Sequence, residues 1–198
     1  MFRFVIFTVA FLGFAGLWDT VPGQPREDIS PKLNPANKEA QLATVKVFYS
    51  QIQGDWSGSY RLWLRPSTPA EQSEIRANIQ PVVSGHYFLM TYSWKRAGKK
   101  QEGVFFFGGS GKTATASWGD SFHMIPEPMY CKGELQDGGK LIFHGSYSFG
   151  NGPSWGWRTE FTHSNANELL MEAYNITPDG VEALAVKAEL KRILMDEK

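Results

Sequence analysis

The 198-residue chain holds a single cysteine, Cys131, so an internal disulfide is excluded even in an oxidising compartment. It also lacks an excess of either charge: 20 Lys plus Arg stand against 20 Asp plus Glu. That balance argues against a nucleic-acid partner, which calls for a basic surplus. Long apolar runs are scarce too. The one at Phe4 to Leu17 spans 14 residues, short of the ~20 needed to cross a bilayer core. With Arg3 ahead of it and small residues at Ala15 and Gly16, it reads as a secretory signal peptide over residues 1–17. A periplasmic or secreted location is therefore expected, with no stable membrane insertion once the signal is removed. No cysteine stands directly after the run, which excludes a lipid-bearing Cys at the mature terminus.

Residues 18–36 carry Pro22, Pro25, Pro31 and Pro35 with few apolar side chains, and are expected to form an extended spacer ahead of one folded domain at 37–198. In that domain aromatics are plentiful, with 14 Phe, 7 Trp and 7 Tyr in the chain, and with 20 Gly they favour strands over a helical bundle. One short helix is expected near the start, because Leu42, Val45, Phe48, Tyr49 and Ile52 recur at helical spacing on one face. Such a face would plug or cover an apolar surface.

From Gly54 onward the period changes to two. Trp56, Gly58, Tyr60, Leu62 and Leu64 alternate with polar residues, and similar runs are expected at 82–96, 102–109, 112–124, 129–136, 140–149, 154–163, 168–177 and 181–190. The stretch between the first two runs, with Pro66 and Pro69, reads as a polar connection. Short hairpin signals such as AGKK, GGSG, QDGG and PDG join the runs and leave no room for crossover helices. The expected fold is all-β: an up-and-down antiparallel barrel of about eight to ten strands, closed because closure removes exposed edges. The last segment, ALAVKAELKR, suits a helix by propensity, but a strand there would cover the preceding edge.

The run Gly54-Asp-Trp56-Ser-Gly58-Ser-Tyr60, followed by Trp118-Gly-Asp120-Ser121-Phe122-His123 and Met129-Tyr-Cys131-Lys-Gly133, resembles a bacterial calycin-like family of unknown function. Its G-x-W-x-G opening is similar to the first strand of lipocalins, fatty-acid-binding proteins and nitrobindin-type haem barrels. Over about residues 42 to 190 the resemblance implies a closed barrel with an internal cavity, and it carries no known activity over to this chain.

Glycines 54 and 58 suit a bent strand at a barrel corner, and Trp56 between them fits a structural plug at one end. Asp120 shares a strand face with Trp118 and Phe122, while alternation puts His123 on the other. A carboxylate among rings needs a donor or a shifted pKa, so Asp120 is either structurally paired or functional, and Arg158 is its candidate partner. His144, Ser146 and Ser148 form a polar stripe facing either solvent or a wet cavity. The candidate ligand-binding residues are Trp56, Tyr60, Trp118, Asp120, His123, His144 and Arg158.

Several motifs lead nowhere. Gly108 to Thr113 lacks the first glycine and the helix of a phosphate-binding loop. His86, His123, His144 and His163 are spread over separate strands, so no metal is expected, and nothing marks Ser121 and His123 as part of a triad. No cofactor is expected; haem is disfavoured because no histidine follows His163, where a nitrobindin-like barrel is expected to supply its iron ligand. The leading expectation is an exported barrel binding a small apolar or aromatic molecule. The competing ones are a hydrolase- or isomerase-like enzyme using Asp120 and His123, and a structural or partner-binding module of the envelope.

Overall fold

A computed structural model describes residues 44–194 apart from Phe149. The expected signal, the spacer and Leu42 of the helical face lie outside the described residues. Helix α1 (Val45–Ile52) precedes ten strands, β1 (Gly54–Leu62), β2 (Glu71–Val82), β3 (Tyr87–Arg96), β4 (Lys99–Ser110), β5 (Thr113–Asp120), β6 (Met124–Gln136), β7 (Lys140–Ser148), β8 (Ser154–Asn165), β9 (Glu168–Ile176) and β10 (Glu182–Arg192). Each strand pairs antiparallel with the next, and β10 pairs with β1 to close the barrel. The C-terminal segment is thus a strand despite its helical propensity, since only a strand satisfies the open edges of both β1 and β9.

Three sequence expectations are corrected. The connection after β1 contains a further strand, β2, whose Ile75, Ala77 and Ile79 face inward while polar residues alternate outward. Its sparse apolar content hid the period. Val83 and Ser84, expected to be in a strand, instead form the β2–β3 turn at positive φ of 51° and 54°. The run 112–124 also breaks early: β5 ends at Asp120, residues 121–123 turn, and Met124 already belongs to β6.

The barrel is filled along its middle. Phe105, Phe107, Phe143 and Phe161 are each no more than 2% exposed and pack as stacked and edge-on rings. Each such ring contributes roughly 1.5 to 3 kcal/mol by leaving water. Helix α1 closes one end. Thr44 caps it by accepting from the Val47 amide, and Val45, Phe48, Tyr49 and Ile52 form its buried face. The Val45 amide donates to Gly111 O, and the Tyr49 hydroxyl donates to Gly108 O, fastening the helix to the β4–β5 hairpin. Trp56 is fully buried beneath the helix and donates to Ile52 O at 2.9 Å. With this end plugged and the middle packed, an aromatic cavity lies at the opposite end.

Candidate binding site at the open end of the barrel

The turn after β5 carries most of the site. Asp120 is the last residue of β5 and its carboxylate is fully buried. Such a group is tolerated only when hydrogen-bonded, and here five donors converge on it. Oδ1 accepts from the Phe122 and His123 amides at 2.9 and 3.0 Å and meets His123 Nδ1 at 3.0 Å. Oδ2 accepts from the Tyr92 hydroxyl at 2.7 Å and from Trp94 Nε1 at 3.3 Å. Trp118 Nε1 in turn donates to the Tyr92 oxygen at 2.8 Å, polarising the phenol toward the carboxylate.

Gly103 explains how Tyr92 reaches a strand beyond its neighbour. In the sheet Gly103 lies between Tyr92 and Asp120, and a Cβ there would fall 2.1 Å from the Tyr92 ring. The phenol crosses β4 over the space the missing side chain leaves.

These contacts set the protonation states. Burial pushes the Asp120 carboxyl up, but hydrogen bonding and charge from His123, with the Tyr92 phenol and the Phe122 amide, outweigh it and hold the group below its ordinary value. Burial first, then the charge of Asp120, pushes Tyr92 well up, so it remains a phenol and a donor. An ionised carboxylate has no proton to give, so His123 Nδ1 carries the hydrogen of the Asp120 contact. His123 Nε2 has no hydrogen-bond partner among the described residues.

His123 lines a cavity of about 260 Å³ at the barrel mouth. Aromatic rings surround it: Trp94, Trp118, Phe122 and Trp157 have centroids 6.0, 5.8, 4.7 and 5.7 Å from the imidazole. On the far side the Tyr147 hydroxyl donates to Asn175 Oδ1 at 2.5 Å, and both residues line the cavity. Among the described residues, no three His, Cys, Asp or Glu side chains group closely enough to hold a metal ion.

Of the sequence candidates, the structure brings Trp118, Asp120 and His123 together. Tyr60 joins from inside the barrel by stacking on Trp94 at 4.4 Å. His123 is on the same side as Asp120, contrary to strand alternation, because the turn folds the ring back over the carboxylate. The expected Asp120–Arg158 pair does not form. Arg158 lies on the outer face, where it bonds Glu160 and Glu182 and covers the Tyr174 ring at 4.0 Å. His144 is exposed outside the barrel, and Trp56 plugs the helix end. Sequence reasoning missed Tyr92, Trp94, Tyr147, Trp157 and Asn175. Period two in FLMTYSW would have put Tyr92 and Trp94 with Phe88 and Met90 on the inward face. Which strand ends meet at the mouth depends on register, and β2 was absent from the expected order.

Fold and site together define a closed, ten-stranded antiparallel barrel, plugged at one end and open at the other onto an aromatic cavity. A family model described as a protein of unknown function (DUF1579) matches residues 44–192, and the chain belongs to that family. No curated protein matches the sequence.

Proposed function

We propose that the protein is an exported, calycin-like barrel that binds a small, largely apolar or aromatic molecule at its open end. The observation carrying this reading is the cavity, in which an imidazole held by a buried carboxylate stands among aromatic walls. A concavity walled by aromatic and aliphatic side chains, with a few placed polar groups, is the composition of a small-molecule site. Its size favours a compact occupant, since an apolar cavity of about 150 Å³ already accommodates benzene.

Mass spectrometry of the protein purified under non-denaturing conditions tests the binding. Ala185 lines the cavity, and Ala185→Phe fills it. The expected result is a small molecule released on denaturation from the parent and missing from a folded Ala185→Phe variant. Retention of the same molecule by both would move the site elsewhere. Export rests on the amino-terminal apolar run, and sequencing of envelope-fractionated protein is expected to find a start between about Gly16 and Gln24. Met1 retained on cytosolic protein would end that part of the proposal.

The oriented imidazole supports acid–base catalysis as a second reading. Ser121 does not extend it to a nucleophilic mechanism, because its hydroxyl donates to Gln101 Oε1 and accepts from the Glu102 amide.

A further inference from the structure

We infer that the cavity selects one-ring molecules carrying a phenolic or enolic hydroxyl, which donates its hydrogen to His123 Nε2. This rests on the binding reading above and narrows its ligand class. Three observations point the same way. The Asp120 contact places a hydrogen on Nδ1, so in its neutral form His123 presents an acceptor at Nε2. The groups around that contact come from separate elements, Asp120 on β5, Tyr92 and Trp94 on β3, with Tyr60 on β1 stacked on Trp94, and all of them apart from the carboxylate are neutral. Of the residues lining the cavity, His123 is the one basic side chain, and Tyr147 is the other ionisable one.

A ligand that satisfies Nε2 of the neutral imidazole brings a donor. The rings of Trp118, Phe122 and Trp157 favour a planar apolar body. An ammonium would also donate, but it must shed its hydration to enter, and the Asp120 charge that would receive it is already shared among five donors. A neutral hydroxyl enters without that cost.

The test compares three ring compounds of similar shape on the mature protein: 4-methylphenol, 4-methylanisole and 4-methylbenzylamine. Binding is followed by NMR shifts of the Trp118 and Trp157 indole N–H groups and the His123 ring. The expected result is that the phenol binds at least about tenfold more tightly than the anisole and the amine, the discrimination of one well-made hydrogen bond. His123→Phe, which keeps a ring but has no acceptor and whose folding is checked by the same spectra, should erase the preference while the anisole still binds. Equal binding of phenol and anisole to the parent would overturn the hydroxyl assignment and leave the apolar-site reading standing. A preference for the amine would overturn it in favour of a cation site. Failure of all three to shift the cavity residues would overturn both.

Discussion

The Tyr92 hydroxyl on β3 lies 2.7 Å from Asp120 Oδ2 on β5, and the strand between them contributes only the backbone of Gly103. This contact joins the fold to the site, because the carboxylate it stabilises is also the one that orients His123. Replacing Asp120 with Ala leaves the buried phenol and indole, and the part-buried imidazole and two amides, without their acceptor. The expected loss is about 3 to 5 kcal/mol, the range for removing one partner of a buried charge-assisted network. Urea unfolding measures it, and a loss below about 1 kcal/mol would mean that the carboxylate is not structurally engaged.

Acid titration offers a check on the same carboxylate. The folded pKa of Asp120 is below its ordinary value of 3.8. Its contribution to stability is therefore complete above that value and is lost as pH falls through the lower folded one. Asp120→Asn removes this part of the acid limb. If the stability of the Asp120→Asn variant fell with acid as steeply as the parent's, the acid sensitivity would belong to other carboxylates.

Gly103→Ala is expected to act through Tyr92. The added methyl cannot coexist with the ring, so the phenol must move off Asp120 and also releases Trp118 Nε1. One unsatisfied buried group costs roughly 1 to 3 kcal/mol, and the substitution should cost at least that in the parent. In a Tyr92→Leu background, where the ring is gone, Gly103→Ala should cost clearly less. An equal cost in both backgrounds would place the strain in the β4 backbone.

What could be read from the sequence follows from which interactions are local. Period two in GDWSGSYRL and the hairpin signals specify strands and their order, and an up-and-down barrel needs little more. The strand β2 escaped because Ile75, Ala77 and Ile79 sit in a highly polar stretch, EQSEIRANIQPV, that resembles a loop in composition. Asp120 and His123 stood out as chemical groups, but their contact depends on a three-residue turn that abolishes strand alternation where it was being used. Arg158 was assigned to Asp120 from charge alone, whereas Glu160, two residues along the same outer face, and Glu182, on the neighbouring barrel surface, meet it first.

His163 provides a second pH-dependent element, at the helix end. Its Nε2 is buried without a hydrogen bond and its ring meets the edge of Phe48 at 6.5 Å. Burial, then the positive charge of Arg192, lowers its pKa from the ordinary 6.5. The folded state thus favours the neutral ring: stability is full above 6.5 and declines as pH falls from there toward the folded value. His163→Phe, which keeps an aromatic ring against Phe48, is expected to flatten thermal stability across that interval. An unchanged slope would show that His163 is not the group that titrates.

Arg192 carries the last prediction. At the end of β10 its guanidinium covers the Trp56 ring at 4.3 Å and donates to carbonyls of Gln51, Gln53 and Ala166. One planar group thereby stacks on the plug, satisfies carbonyls at the C-terminal end of α1 and ties both to the β8–β9 turn. Lysine keeps the charge but not the planar fork, so Arg192→Lys cannot span three carbonyls and stack at once. The loss is expected to be about 1 to 3 kcal/mol and to concentrate in the helix. Hydrogen exchange should reveal early opening of the α1 amides from Phe48 to Ile52, with strand amides at the barrel mouth unchanged. Because the cavity is at the opposite end, binding of 4-methylphenol should survive the substitution. Uniform loss of protection across the barrel would instead make Arg192 part of the cooperative core, and unchanged α1 protection would make its contacts energetically idle.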